Sequence, residues 1–327
     1  MKAVYITQFG GPDNLEIREV SDPPKPTGNN VLVRVKAAGL NRADLLQRKG
    51  FYPAPEGYST NIPGLEFAGD VAEIGEEVTN FKPGDRVMAI TAGEAQAELV
   101  SVDASLLMRI PDPLSYTDAA AIPEAFITAH DAICTLGELQ EGQTLLIHAV
   151  ASGVGIAALQ MAKQAGATVL GTSRTADKLD RCSELGLDHA IETADTRFAE
   201  RISEITGGNG ADVILDLVGA SYFKENLASL KTKGRLILVG LTGGAATEFD
   251  LRTALQKRCT IIGTVLRSRS VEEKADATNL FVDHALKHIE TGAIKPVVDK
   301  VFPIEQVREA HEYLESNQSF GKVVLEF

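Results

Sequence analysis

A glycine-containing turn near the middle of the chain has backbone groups suited to binding a phosphate. Residues 145–149, LLIHA, have the pattern of a buried strand, and VASGVG at residues 150–155 leads from them into a helix-length segment. Backbone N–H groups at the start of a helix offer donors and partial positive charge to a pyrophosphate. The GxGxxG fingerprint is incomplete, although Gly155 keeps the position where helix meets strand. The alternative is a tight turn that only packs, but a place in the first of several strand–helix units favours a dinucleotide site.

The end of the next predicted strand indicates which dinucleotide would bind. An acid at that place would bind the ribose hydroxyls of NAD. Here the chain has Ser173, Arg174 and Lys178, a hydroxyl and two cations that suit a 2′-phosphate. The alternative is a solvated pair of cations one turn apart, and Asp177 is expected to be exposed. We therefore expect NADPH as the cofactor.

The elements that position these residues fall into two kinds. The first 120 or so residues contain short β-branched segments punctuated by Gly and Pro, which predict a compact β-rich domain. After about residue 124, strands alternate with helices and predict a doubly wound parallel sheet. Its six predicted strands cover residues 145–149, 168–173, 189–192, 213–218, 235–240 and 260–266. The last sixty residues predict a helix at 271–290, a strand at 297–302, a helix at 305–315 and a strand at 322–327.

Composition narrows the possible partners. The 327 residues include 32 Lys+Arg and 45 Asp+Glu, a formal net charge of −13, which argues against nucleic acid or an anionic membrane as the main partner. The three cysteines form no CxxC pair, which excludes a disulfide framework, so we expect a reducing, cytoplasmic location.

The sequence shows no signal-peptide pattern at the amino end. Residues 144–162 carry no charge, but their Gly and Ser residues favour a buried strand, turn and helix over a membrane span.

Five runs of sequence together resemble the medium-chain dehydrogenase/reductase superfamily over essentially the full length. They are AAGLNRADLLQRKG (37–50), PGLEFAGDVAEIG (63–75), FKPGDRV (81–87), AAAIPEAFITA (119–129) and HAVASGVG (148–155). The zinc alcohol dehydrogenases of this superfamily carry Cys, His and Cys as catalytic ligands, and the corresponding positions are Asn41, Leu65 and Glu124. Leucine cannot ligate zinc, asparagine is a poor donor, and the four-cysteine structural lobe is missing. We therefore expect no metal. His284 and His288 also lack the zincin pattern, because Ala285 follows the first histidine where that pattern requires Glu.

The chain instead resembles the zinc-free quinone oxidoreductase family, and most of all its tumour-suppressor-induced branch. Runs such as LNRADLLQRKGFYPAP and the late TVLRSRS carry this likeness. The resemblance implies an α/β protein with a GroES-like β-rich catalytic domain at residues 1–123 and a Rossmann NADPH-binding domain at 124–267. Residues 268–327 would complete the catalytic domain.

The implied activity is the zinc-independent transfer of reducing equivalents from NADPH to quinones. One alternative is reduction of a carbon–carbon double bond beside a carbonyl, in an enone or enoyl substrate, because the conjugated acceptor is the same. Another is a non-enzymatic role that binds NADPH or RNA, like that of the relative zeta-crystallin. The charge of −13 and the lack of an aromatic–basic stripe weigh against RNA.

Without a metal, hydrogen-bond donors must stabilise the negative charge that develops during hydride transfer. The candidates are Asn41, Asp44 and Tyr52, and the resemblance places Asn41 and Tyr52 beside nicotinamide and substrate, with Tyr52 as donor to a substrate oxygen. The spacing of Asn41 and Asp44 is equally typical of a helix start. The alternative for Tyr52, in the stiff run FYPAP, is packing.

The resemblance also assigns cofactor contacts. Thr128 would face the nicotinamide or its phosphate, and the pyrophosphate would lie on Ser152, Gly153 and Val154. Ser173 and Lys178 would take the 2′-phosphate. The nicotinamide pocket would be lined by backbone near Gly240, Leu241, Leu266 and Arg267, with Asn317 closing over it. Where the family often has a Tyr against the adenine, this chain has AIET at residues 190–193.

The sixth strand of the doubly wound sheet predicts an assembly. In this topology the sixth strand lies at a sheet edge, and TIIGTVL at residues 260–266 has neither charge nor proline to prevent pairing. A second copy could cover the edge with its own strand, as relatives do. The alternative is a helix or loop of the same chain. We expect a homodimer through this strand.

Overall fold

The computed structural model describes residues 1–193 and 196–327. These residues form two compact units, which are described separately. Unit 1 contains residues 1–127 and 266–327, and unit 2 contains residues 128–265. The unit boundaries fall within four residues of those expected from the sequence, at 123/124 and 267/268.

The strands in chain order are β1 (Lys2–Ile6), β2 (Leu15–Glu19), β3 (Asn30–Leu40), β4 (Glu66–Ile74), β5 (Arg86–Ile90), β6 (Leu99–Asp103), β7 (Leu107–Arg109), β8 (Thr144–Ile147), β9 (Thr168–Ser173), β10 (His189–Glu192), β11 (Ala211–Asp216), β12 (Leu230–Leu238), β13 (Thr260–Gly263), β14 (Val298–Pro303) and β15 (Lys322–Glu326).

The helices are α1 (Arg42–Arg48), α2 (Tyr116–Ala119), α3 (Pro123–His130), α4 (Gly153–Gln164), α5 (Ala176–Glu184), α6 (Ala199–Ile205), α7 (Phe223–Ser229), α8 (Leu251–Lys257), α9 (Val271–Phe281), α10 (Lys287–Glu290) and α11 (Val307–Glu315). Within the described ranges, every helix is too short or too polar to span a bilayer.

Unit 1 is built on a mainly antiparallel sheet in the order β14-β15-β3-β4-β5-β7, with β6 also paired to β3. Strand β3 is long and buried along most of its length, which lets it carry partners from both ends of the chain. The carboxyl-terminal strand β15 pairs with β3 through Leu325 and Ala38. The last residues therefore complete the β-rich domain, and the expected GroES-like architecture is confirmed.

Unit 2 is a fully parallel six-stranded sheet in the order β10-β9-β8-β11-β12-β13. The central residues Leu146, Leu170, Ile214 and Leu236 have no exposed surface, because helices cover both faces of the sheet. Strand β8 lies between β9 and β11, so the strand order reverses at β8, and ligands of such sheets bind at the carboxyl ends of the strands beside this point. The predicted Rossmann sheet is confirmed, with β13 at one edge.

The structure departs from the sequence prediction at several element ends. The helix predicted over residues 271–290 is interrupted after α9 by a π-helical turn, Val282–Leu286, before α10 continues. Strand β13 ends at Gly263 rather than at residue 266, and β12 begins at Leu230 rather than at residue 235. The run KTKG inside β12 is typical of a turn, and Lys233 has a φ of 66°. The strand nevertheless begins earlier, because Leu230 already pairs with Ala211 of β11.

The turn after β8 leaves no room for a side chain at its last glycine. A methyl group on Gly155 would lie 2.6 Å from the carbonyl oxygens of both Ala149 and Val150. These are backbone atoms, so they cannot rotate away as a flexible side chain would. The predicted role of Gly155, close approach of helix and strand, is confirmed.

We predict that Gly155→Ala destabilises unit 2. Overpacking a tight contact typically costs about 1–3 kcal/mol, and the unfolding free energy from chemical denaturation should fall by about that amount. Gly11→Ala is the control, because nothing lies within 4 Å of the added carbon. Equal unfolding free energies for the two variants would contradict the prediction.

Candidate active site and cofactor-binding edge

The start of α4 presents two backbone donors at the carboxyl edge of the unit 2 sheet. Ser152 is the N-cap, and its Oγ accepts the N–H of Gly155 at 3.1 Å. The first helical hydrogen bond runs from Ile156 N to Ser152 O at 2.8 Å. The N–H groups of Gly153 and Val154 precede this bond and point beyond the helix end. This is the geometry that an anionic pyrophosphate needs.

The residues expected at the 2′-phosphate lie at the same edge. Ser173 ends β9, which is the parallel neighbour of β8, and it is half-buried. Arg174 is exposed, and Lys178 is half-buried in the first turn of α5. The carbonyl of Ser173 accepts the N–H of Thr193 at 2.9 Å, which fixes the strand end. A hydroxyl and two cations therefore lie beside the pyrophosphate turn, so unit 2 fits a phosphorylated dinucleotide.

The other expected contacts of unit 2 lie in two places. Gly240 and Leu241 follow β12 at the carboxyl edge. The N–H of Gly240 donates to Asp216 O at 3.2 Å, and Leu241 is 57% exposed. Thr128 lies in α3 and is half-buried.

A chain of buried polar side chains that sequence reasoning missed lies beneath this edge. The ring of His148 contacts Thr172 Oγ1 through Nδ1 at 2.9 Å and Asn226 Oδ1 through Nε2 at 2.5 Å. Asn226 Nδ2 donates to Asp216 Oδ2 at 2.9 Å. Because Asn226 Oδ1 only accepts, Nε2 carries the ring proton and Nδ1 accepts from the Thr172 hydroxyl. The chain links the carboxyl ends of β8, β9 and β11.

Burial governs the charges in this polar chain. It lowers the pKa of His148 to about 4, so the ring is neutral at physiological pH. It raises the pKa of Asp216 to about 6, although the carboxylate accepts the N–H groups of Val218 and Gly219 at 2.7 and 2.9 Å. A lone histidine after a strand gave no signal in the sequence that would distinguish this network from ordinary packing.

Unit 1 contains a buried ion pair that contacts one of the candidate catalytic residues, Asn41. Lys322 Nζ donates to Glu66 Oε1 at 2.5 Å, and their side chains are 6% and 0% exposed. Asn41 connects to both, since its Nδ2 donates to Glu66 Oε1 at 2.8 Å and its Oδ1 accepts from Lys322 at 2.7 Å. The backbone N–H of Glu124 donates to Glu66 Oε2 at 2.8 Å. The amide of Asn41 is therefore held in one orientation by charged partners.

Asp44 stabilises the start of α1, which is the alternative to a catalytic role that its spacing from Asn41 also allowed. Its Oδ2 accepts the N–H of Asn41 at 2.8 Å and its Oδ1 accepts the N–H of Gly64 at 3.0 Å. The side chain is fully buried, and burial raises its pKa to about 6. Both oxygens are thus used to fix the start of α1 against the chain at Gly64.

Tyr52 lies in the irregular segment after α1 and is half-buried. Its hydroxyl has no hydrogen-bond partner among the described residues. Burial raises the pKa of this phenol, Glu124 raises it further, and Arg267 opposes the rise. The hydroxyl is therefore a protonated donor with unused capacity for a ligand.

Glu124 is a titratable group that sequence reasoning treated only as a replaced ligand position. Its side chain is half-buried, and burial together with the neighbouring carboxyl of Glu66 raises its pKa to about 8. Lys322 stabilises the charge on Glu66 directly, whereas no cation contacts the carboxyl of Glu124 within the described part of the chain. Glu124 is therefore protonated at neutral pH, beside a carboxyl that forms an ion pair with Lys322.

The donor set of unit 1 does not fit zinc. Leu65 is apolar and buried, and the oxygen of Asn41 already binds the Lys322 ammonium. Nowhere in the described ranges do three or more His, Cys, Asp or Glu side chains form a group able to hold a metal ion. The Lys322 ammonium thus occupies the oxygen that Asn41 would otherwise offer to a metal ion.

The remaining expected cofactor contacts belong to unit 1. Leu266 is buried, and Arg267 is buried with its side chain turned towards Tyr52. Asn317 is exposed in the left-handed region, with a φ of 61°, and its side chain accepts from Arg42. The side chain of Arg267 therefore has a contact that the backbone role expected from the sequence did not include.

Known proteins match this chain along its whole length. The alcohol dehydrogenase GroES-like domain matches residues 27–112, and the zinc-binding dehydrogenase domain matches residues 153–282. Human quinone oxidoreductase is 30% identical, and the match covers 99% of this chain and 97% of the relative.

Solved structures agree with these matches. Escherichia coli quinone oxidoreductase complexed with NADPH is 30% identical, with a TM-score of 0.89 and full coverage of both chains. The CurK enoyl reductase is 28% identical, with a TM-score of 0.88 over 99% of this chain and 98% of the other. Coverage of this extent, on a β-rich unit and a Rossmann sheet, confirms the resemblance drawn from the sequence. The chain therefore belongs to the quinone oxidoreductase family of the medium-chain dehydrogenase/reductase superfamily, a family of oxidoreductases.

Proposed function

We propose that the protein is a zinc-independent oxidoreductase that uses NADPH to reduce quinones. The observation that carries this proposal is the group of Ser173, Arg174 and Lys178 at the same sheet edge as the α4 turn. Its support from relatives is the likeness to two quinone oxidoreductases, one of them solved with NADPH.

The cofactor would be held mainly by unit 2. The N–H groups of Gly153 and Val154 would bind the pyrophosphate, and the hydroxyl and cations at the end of β9 would bind the 2′-phosphate. The residues assigned to the nicotinamide side are Thr128, Gly240, Leu241, Leu266 and Asn317. When bound, the reduced nicotinamide supplies a hydride.

Tyr52 would act on the substrate. Its hydroxyl, which has no hydrogen-bond partner among the described residues, would donate to the carbonyl oxygen of the quinone, where negative charge develops. Hydride addition and uptake of one proton convert the quinone to its hydroquinone, with Tyr52 or water supplying the proton. Asn41, which binds both Glu66 and Lys322, would keep the charges of the cluster in place.

Two other functions are distinguishable from this one. The likeness to the CurK enoyl reductase favours reduction of a conjugated carbon–carbon double bond as the second candidate. A role in RNA binding conflicts with the net charge of −13, and a gel shift with RNA would reveal it.

We also propose a cytoplasmic location, which suits three free cysteines.

A turnover screen tests the proposal. NADPH oxidation would be followed over quinones, enones and enoyl thioesters, with and without a chelator. Quinones should give the highest kcat/KM, and the chelator should leave turnover unchanged. Faster turnover of enoyl thioesters would favour the second candidate, and loss of activity with the chelator would refute zinc independence.

We predict a preference for NADPH over NADH that depends on Lys178. A charge-assisted contact to a phosphate contributes about 1.5–3 kcal/mol, roughly tenfold or more in affinity. Lys178→Glu should therefore weaken NADPH by at least that factor in a fluorescence titration and leave NADH nearly unchanged. Lys224→Glu, at an exposed position on α7, is the control for the change in net charge. Equal dissociation constants of the wild type for both cofactors would refute the prediction.

Tyr52→Phe should lower turnover without lowering cofactor affinity. A donor to a developing oxyanion acts mainly in the transition state, and losing one typically costs about 10²-fold in kcat. Steady-state kinetics and a separate NADPH titration would measure the two effects. Tyr5→Phe, in β1, is the matched control. If Tyr52→Phe turns over quinones like the wild type, packing is the role of Tyr52.

We also propose a homodimer through β13. This strand pairs only with β12 in the described sheet, Ile261 is 37% exposed, and Leu255 on the adjacent α8 is 74% exposed. An apolar edge without charge or proline favours pairing with another strand, and a twofold partner would extend the sheet.

Light scattering should therefore report twice the mass of one chain. Ile262→Pro removes a backbone donor from the edge strand and should give monomer or insoluble protein, whereas Ile262→Val should stay dimeric. A wild-type monomer at micromolar concentration would end this proposal.

A further inference from the structure

The segment that carries Tyr52 has little structure of its own. Residues 49–65 connect α1 to β4 without a helix or strand, and Phe51 within it is 77% exposed. Its internal backbone hydrogen bonds are few, such as Tyr58 N to Pro55 O at 3.2 Å. The position of Tyr52 therefore depends on contacts from other parts of unit 1.

Arg267 supplies the most direct of these contacts. Its Nη1 donates to the carbonyl oxygen of Tyr52 at 3.1 Å, its Nη2 to Gln47 Oε1 at 2.6 Å, and its Nε to Ala92 O at 2.7 Å. The guanidinium carbon also lies 5.0 Å from the centroid of the Tyr52 ring. One planar side chain thus joins the Tyr52 segment to α1 and to the turn after β5.

Gln47 extends this connection to the far end of the segment. It is buried on α1, and while its Oε1 accepts from Arg267, its Nε2 donates to Thr60 O at 3.1 Å. Arg267 therefore holds Tyr52 directly and Thr60 through one intermediate amide. Lysine has no rigid fork of donors and could not reproduce these bonds.

Among the described residues, none provides a direct counterion for the charge of Arg267. The side chain is only 3% exposed, and each of its hydrogen bonds ends on a neutral acceptor. No carboxylate of the described chain forms an ion pair with it; Asp44 and Glu124 act on it only through space. A buried charge without a partner is costly, yet here it lies against the face of the candidate donor ring.

We propose that Arg267 is a positioning residue for Tyr52, one that fixes the ring and places a positive charge beside it. This inference rests on the proposed role of Tyr52 as donor to the substrate. A cation near the phenol favours its ionised form and so strengthens the hydroxyl as a hydrogen-bond donor. Two other influences act on this hydroxyl. Burial and the nearby Glu124 both raise the pKa of Tyr52, whereas Arg267 lowers it.

The first test needs no turnover. The chain has no Trp and six Tyr, so phenolate absorbance can be titrated, and subtracting the matching Tyr52→Phe variant isolates Tyr52. Arg267→Gln should move the ionisation of Tyr52 to higher pH, and Arg267→Lys should move it less. Arg18→Gln is the control, since Arg18 lies 3.9 Å from the Tyr5 ring on an exposed part of unit 1. Titrations would be limited to the pH range in which circular dichroism is unchanged.

The second test separates positioning from general structural damage. Misplacing a donor by about 1 Å costs up to about 10²-fold, so Arg267→Lys should lower kcat with quinone by about 10–100-fold and leave the NADPH dissociation constant unchanged. Combined with Tyr52→Phe, the loss should be much smaller than the product of the single losses, because both variants remove the same effect.

Any of three results would overturn the inference. They are an unchanged Tyr52 titration in both Arg267 variants, fully multiplicative losses in the double variant, or a loss of NADPH affinity equal to the loss of turnover, which would assign Arg267 to the cofactor instead. If the wild type reduces no acceptor, the proposed function fails, and the titration alone still decides whether Arg267 acts on Tyr52. If Arg267→Gln does not fold, the lysine variant carries both measurements.

Discussion

The buried ion pair between Lys322 and Glu66 determines the arrangement of unit 1. It joins the start of β15 to the start of β4, and the ammonium also donates to Leu40 O at the end of β3. Burying two charges is costly, and removing one partner of such a pair typically destabilises a protein by about 3–5 kcal/mol. The pair remains favourable here because Asn41 and the backbone N–H of Glu124 satisfy the other positions on the carboxylate. The same contacts that join β3, β4 and β15 therefore also orient the side chain of Asn41.

The two units prepare their ligand-facing residues by different electrostatic means. Unit 1 uses the ion pair between Lys322 and Glu66, beside which burial keeps Glu124 neutral. Unit 2 uses a chain of neutral groups, His148 and Asn226, that ends on the single carboxylate of Asp216. In both units a buried polar network lies close to the residues proposed to meet a ligand.

Local patterns in the sequence were enough to predict the parallel sheet, the edge position of β13 and the turn that begins α4. These features depend on hydrophobic periodicity and on glycine, which act over a few residues. The contacts of Arg267 with Tyr52 and of Lys322 with Glu66 join residues 215 and 256 positions apart. No local pattern reports such pairs, so Arg267 was expected to contribute backbone alone. The spacing of Asn41 and Asp44 was ambiguous for a different reason, because a helix cap and a catalytic pair use the same residue types.

The position of Lys322 has a consequence for how a metal could be introduced into this chain. Its ammonium lies 2.7 Å from the side-chain oxygen of Asn41, at one of the three positions where zinc-dependent relatives carry a ligand. Introducing Cys, His and Cys at residues 41, 65 and 124 would bring a divalent ion against an existing cation. Removing that cation first would leave Glu66 buried and unpaired. Either order of substitutions therefore leaves an uncompensated charge in this buried cluster, which is costly.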